Sequence, residues 1–66
     1  MKFKELKKVL SSYCDTFEIS YYDGKLRREI YCDNDIDKIS NKYSLNDKEV
    51  IFITPTDENY LHICLN

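Results

Sequence analysis

From Glu49 to Leu65 the chain reads Glu-Val-Ile-Phe-Ile-Thr-Pro, then Thr-Asp-Glu-Asn, then Tyr-Leu-His-Ile-Cys-Leu. Two strand-like runs around a polar turn spell a β-hairpin. What constrains the fold is that both faces of this hairpin carry apolar groups. With Pro55 and Tyr60 flanking the turn, Thr54 faces Leu61, Phe52 faces Ile63 and Val50 faces Leu65, and these six line one side. Ile51, Ile53, Tyr60, His62 and Cys64 then line the other. A hairpin at the edge of a small sheet needs only one buried face, so the second face is expected to find a cover.

At 66 residues the chain is one domain. A domain this small buries only about 60% of its unfolded surface, a thin margin that self-association would widen. Ala, Gln and Trp are absent, and Lys, Ile, Asn and Tyr are plentiful, the residues that AT-rich codons specify. Residues 1–32 hold seven Lys/Arg against five Asp/Glu, and residues 33–66 hold three against seven. Neither half is basic enough for a nucleic-acid footprint. The opening Met-Lys-Phe-Lys-Glu-Leu-Lys-Lys lacks the apolar core of a signal peptide, and no run reaches transmembrane length. Cys14, Cys32 and Cys64 are odd in number and widely spaced, and there is one histidine. No metal set or cofactor motif follows, and free thiols in a cytoplasmic protein are the reading.

Along the chain, residues 3–12 read as a helix with Phe3, Leu6 and Leu10 on one face, Val9 beside them and Tyr13 following. Lys4, Lys7 and Lys8 form a solvated basic face that Glu5 partly offsets, and Ser11 and Ser12 weaken the helix end. Thr16 to Tyr22 alternates as a half-buried strand. Asp23-Gly24 then marks a hairpin with a type I′ turn, and Lys25 to Cys32 returns. That turn pairs Tyr22 with Lys25, Ser20 with Arg27, Ile19 with Arg28 and Phe17 with Ile30. Phe17, Ile19, Tyr21, Leu26 and Ile30 then face the core, together with Arg28. Two features strain this register. Glu18 opposes Glu29, and Arg28 lies on an apolar face. A bulge near Arg27-Arg28 relieves both. The preferred alternative sets Arg28 at an open sheet end, its guanidinium in solvent. Asp33-Asn34-Asp35 supplies a helix cap for residues 35–43, where Ile36, Ile39 and Tyr43 recur at helical spacing. Asp33, Asp35 and Asp37 resemble the start of a calcium loop, but Lys38 and Ser44 stand where that loop needs Gly and Glu. Leu45 is expected to plug the core. The sum is a two-layer α+β domain, order α-β-β-α-β-β, with a four-stranded mostly antiparallel sheet and both short helices on one face.

The whole chain resembles the tiny α+β accessory proteins of phages and mobile elements of low-GC Gram-positive bacteria. The resemblance rests on the opening Lys4-Glu5-Leu6-Lys7-Lys8-Val9-Leu10 helix, the strand, Asp-Gly turn and strand of Thr16 to Cys32, a short helix, and a final strand like Asn59-Tyr60-Leu61-His62-Ile63-Cys64-Leu65. It is architectural and carries no catalytic signature. It implies a small accessory protein in a bacterial cytoplasm. Many proteins of that setting block host defences by capping a protein or by sequestering a nucleotide-derived immune signal.

Catalysis has little to build on. His62 and Cys64 share a strand face, but nothing supplies an oxyanion hole, and one glycine cannot form a phosphate loop. Binding has more. Tyr22, Arg27, Arg28, Tyr31, Tyr60 and His62 are candidate contacts for a small nucleotide-type ligand, with tyrosines to stack and arginines to pair with phosphate. Ile51, Ile53, Tyr60 and Cys64 are candidate interface residues. The expectation is a non-enzymatic, homo-oligomeric module, associating through its open sheet face, that sequesters such a signal. The alternative is a module that blocks a host defence protein such as a nuclease.

Overall fold

The computed structural model describes residues 1–10, 16–33, 35–57 and 59–66. The readings at Ser11, Ser12, Tyr13, Cys14, Asn34 and Glu58 lie outside the described residues. The order is α1 (Phe3–Leu10), β1 (Thr16–Asp23), β2 (Leu26–Cys32), α2 (Ile36–Lys42), β3 (Val50–Asp57) and β4 (Tyr60–Leu65). The four strands form one sheet in the order β2-β1-β4-β3. Both hairpins are antiparallel, and the central β1–β4 seam is parallel. Phe3, Leu6 and Leu10 of α1 and Ile36 of α2 share one core with Phe17, Ile19, Tyr21, Leu61, Ile63 and Leu65, so both helices cover the same face.

This order explains the doubly apolar C-terminal run. β4 is not at an edge but in the middle, where Leu61, Ile63 and Leu65 face the helices and Cys64 is buried on the other side. Neighbouring strands supply most of the cover that the sequence calls for. Full burial of a large aliphatic side chain stabilises by about 1.5–3 kcal/mol, so the most apolar strand gains most from the centre.

The helix ends are closed by specific bonds. The Phe3 and Lys4 amides donate to the Lys48 and Asn46 carbonyls at 2.9 and 3.0 Å, satisfying donors that α1 leaves open. Glu5 reaches back to accept from the Lys2 amide at 3.0 Å, the acid half of a capping box. At α2 the Asp35 carboxylate does not cap the helix. It accepts from the Asp33 amide instead. Ser44 follows that helix with φ +57°, while the Leu45 amide donates to Ser40 O at 2.9 Å and Ser44 to Asn41 O at 3.4 Å. That is a Schellman ending with serine in the usual glycine position. It delivers Leu45, fully buried, into the core as expected.

Both hairpin registers depart from the sequence reading. In β1–β2 the turn residues are Gly24-Lys25, with Asp23 opposite Leu26. Only the first turn position has positive φ (Gly24, +67°), the type II′ pattern rather than I′. The ladder is therefore offset by two residues. Glu18 opposes Tyr31 instead of Glu29, which removes the like-charge pair. Arg28 opposes Tyr21 at the sheet end, 3.5 Å from the Asp23 carboxylate, in the open-end arrangement and without a bulge. Leu26, expected in the core opposite Tyr21, is 63% exposed because the turn, moved by one residue, sets it opposite Asp23 at the sheet end. Val9 is likewise 64% exposed.

In β3–β4 the middle of the ladder is offset by one. Phe52 opposes Cys64, Ile53 opposes Ile63, and Thr54 opposes His62, with irregularities between Val50 and Phe52 and between Pro55 and Asp57. An offset of one exchanges faces. Phe52, expected toward the core, lies on the open face, and Ile53, expected on the open face, lies on the helix side.

The divided charge is also resolved internally. Lys4 meets Asp47 at 3.3 Å, Lys7 meets Asp37 at 3.1 Å, and the terminal amine meets Glu49 at 3.2 Å. The basic first half lies against acids of the second.

Candidate binding surface

The parallel seam puts Glu18 beside His62 and Ser20 beside Cys64 on the open face. Ser20 Oγ and His62 Nε2 share a hydrogen bond of 2.8 Å, and Glu18 Oε2 lies 3.4 Å from the same nitrogen. The Tyr60 hydroxyl donates to Glu18 Oε1 at 2.9 Å. Phe52 packs edge-on against the His62 ring, centroids 6.1 Å apart. The result is a compact polar seam bordered by an aromatic ring.

Its chemistry is set by the Glu18 carboxylate. Burial, then the bond to Glu18, pushes the Tyr60 phenol up to about 12. Hydrogen bonding to Glu18 and the Glu18 charge likewise raise the Tyr31 phenol. Tyr60 donates to this carboxylate, and Tyr31 lies directly across the strand pair from it. Serine, histidine and an acid in contact invite comparison with a hydrolytic triad. In such a relay the acid holds Nδ1 while Nε2 faces the hydroxyl. Here both partners use Nε2, and Ser20 is only 1% exposed, so its hydroxyl is closed to a substrate. Cys64 is buried beneath this face. Cys32 is buried too, and burial followed by the charges of Asp35 and Asp33 pushes its thiol up to about 11, far from a ready nucleophile.

The candidate ligand contacts separate in space. Tyr22 and Arg27 lie directly opposite each other, exposed at the far end of the open face. Arg28 is on the helix side with Asp23 and does not join them. Tyr31, Tyr60 and His62 gather round Glu18, where a phosphate would meet a carboxylate.

The apolar candidates sort differently. Ile51, Phe52 and Ile53 are 55%, 48% and 40% exposed along the outer strand. Phe52 lies toward the open face and Ile53 toward the helix side, so apolar surface wraps the β3 edge. On the helix side it continues as a groove of about 390 Å³ lined by Val9, Leu10, Ile53, Pro55 and Leu61. A wider depression of about 670 Å³ lies among Lys4, Lys7, Lys8, Asp37, Asn46 and Asp47, but Lys4 and Lys7 already pair with its acids.

Sequence reasoning placed Glu18, Ser20 and Phe52 on their strands but did not name them as site residues. Alternation places Glu18 and Ser20 on the open face, but only the parallel β1–β4 pairing brings them to His62. Phe52 needed the bulge. Among the described residues no helix is long and apolar enough to cross a membrane, and no cluster of His, Cys, Asp and Glu has the makings of a metal site. No protein-family model, curated protein or solved structure matches the chain.

Proposed function

We propose that this chain is a non-enzymatic binding module that engages a protein through the apolar surface around β3. The observation that carries this reading is the run Ile51-Phe52-Ile53, three successive large apolar side chains left exposed on both sides of an outer strand. A contiguous apolar patch on a small domain marks a contact surface. An aromatic anchor flanked by aliphatic groups, with the polar Thr54 and His62 alongside, suits a protein groove. The resemblance to small phage and mobile-element proteins supplies the setting, a bacterial cytoplasm, and the target class, a host defence protein that the module blocks.

The test is co-purification of the tagged chain with host proteins, run beside Phe52→Asp and Ile51→Asp. The expected result is a specific protein retained by the wild type and weakened at least tenfold by either variant, with the fold intact by circular dichroism. Retention unchanged in both variants defeats the reading.

A second reading, sequestration of a nucleotide-type signal, draws on Tyr22 and Arg27. They offer a stacking ring and a cation side by side, roughly 13 Å along the strand from Glu18 at about 3.3 Å per residue. In this reading Arg27→Ala alone abolishes binding of a nucleotide measured by calorimetry, while Arg28→Ala does not.

A further inference from the structure

Strand β2 forms the opposite edge of the sheet, and its ladder with β1 is regular from Leu26 to Cys32, with no bulge and no proline. In an antiparallel pair closed by a two-residue turn, the residues flanking the turn exchange both hydrogen bonds, and every second pair does so after them. Leu26, Arg28, Ile30 and Cys32 therefore direct their backbone groups at β1. Arg27, Glu29 and Tyr31 direct theirs outward, as a row of donors and acceptors without a partner among the described residues.

The side chains on this edge are complementary to themselves. Arg27 and Glu29 lie two apart on the open face, and Leu26 and Ile30 lie four apart on the helix side. We propose that β2 pairs antiparallel with β2 of a second copy, about a two-fold axis that passes through the Arg28 position perpendicular to the sheet. Two four-stranded sheets then join into one of eight. In this register Arg27 lies opposite the partner's Glu29, and Glu29 opposite the partner's Arg27. Leu26 lies opposite the partner's Ile30, and the turn residue Lys25 meets the partner's Tyr31. The outward backbone groups of Arg27 and Glu29 fall in the positions that exchange hydrogen bonds, so ladder and charges agree.

Neighbouring registers do not share this agreement. Shifting the axis to Glu29 sets two glutamates directly opposite, which is unfavourable. A shift that moves the axis by half a residue offers inward-directed backbone to outward-directed backbone. In the proposed register the one unfavourable pair is Arg28 with its copy on the axis. Each Arg28 already faces its own Asp23 at 3.5 Å, and its side chain is 54% exposed, so both guanidinium groups can turn into solvent. The pairing also gives Leu26, 63% exposed in the single chain, an apolar neighbour. β3 cannot serve in the same way, because Pro55 lacks an amide hydrogen and two irregularities break its line. The inference is independent of the target at β3, and it sets the two β3 patches at the far ends of the joined sheet.

Sedimentation equilibrium of the full chain tests it, with fold checked by circular dichroism. The wild type is expected to be a reversible dimer at millimolar chain concentration. Arg27→Glu and Glu29→Arg each turn two attractive pairs into repulsive ones and are expected to weaken it by roughly tenfold or more. The double variant with both changes restores the pairs and is expected to recover dimerisation. Arg28→Ala removes the axial repulsion and is expected to hold or tighten the dimer. A monomeric wild type, a dimer indifferent to either single reversal, or a folded double variant that stays monomeric each overturns the proposal.

Discussion

Strands β2 and β3 occupy the two edges of one sheet and meet solvent with opposite chemistry. β2 is straight, regularly paired and charged, with Arg27, Arg28 and Glu29 along it. β3 is apolar at Ile51, Phe52 and Ile53 but broken by two irregularities and Pro55. An unguarded edge is a template for unwanted pairing, and each strand carries one guard and omits the other. A charged edge still offers a continuous backbone ladder, so it excludes most strands and accepts one with matching charges. A broken edge offers no ladder, so it can display apolar side chains without recruiting strands indiscriminately. The difference is what suits the two sides to the different work proposed for them, strand pairing at β2 and side-chain contact at β3.

The comparison breaks first, and most visibly, across the row Ile30, Ile19, Ile63 and Ile53, which runs straight over the helix-facing side from edge to edge. Ile19 and Ile63 are fully buried. Ile63→Ala is expected to cost about 2–5 kcal/mol in urea unfolding. Ile53→Ala, at the β3 edge, is expected to cost less than about 1 kcal/mol. Equal losses at the two sites would make the β3 residues core, and their exposure would no longer argue for a partner.

A smaller effect sharpens the β2 side. Gly24 has φ +67° in the turn that sets the β2 register, and nothing lies within 4 Å of where a Cβ would stand. Gly24→Ala is therefore expected to cost about 1 kcal/mol through backbone strain alone, with the fold retained. A negligible cost would mean that the turn does not hold β2 in line.

The last effect falls on the seam between the edges and appears only in alkali. The fold holds Tyr60 neutral to about 12 against 10.0 for an ordinary phenol, and Cys32 neutral to about 11 against 9.0. A raised value means that the contribution is complete below the unfolded value and lost as pH rises toward the folded one. Stability is expected to decline from about pH 9, with the Tyr60 share lost between about pH 10 and 12. Tyr60→Phe should remove that share of the slope, read by chemical denaturation at a series of pH values. An unchanged slope would mean that Glu18 does not hold the phenol.

Much of this could be read from residue patterns. Phe3, Leu6 and Leu10 at helical spacing and the alternation of Thr16 to Tyr22 needed only local periodicity, and Leu45 stood out as the one large aliphatic residue between α2 and β3. The first hairpin shows why such readings are robust: its register differs by two residues, yet every side chain keeps its face, because the period of a strand is two. The second shows where they fail. One residue absorbed by the irregularity at Ile51 exchanges Phe52 and Ile53, and with them the composition of the contact surface. Nothing local announces such an irregularity, since it answers to neighbouring strands.

The sequence by itself determined the element order, the inward faces of α1 and of β1, and the apolar character of β4, because these depend on spacing within one segment. On α2 it placed Ile36 inward, but Ser40 is buried where Tyr43 was expected. Only the tertiary structure decided that β4 sits beside β1, that Glu18 and Ser20 meet His62, that Arg28 meets Asp23, and that the two edges differ. Those outcomes depend on which strands pair and in what register. Such choices are made by burying the most apolar strand at the centre and by matching charges across residues far apart in the chain.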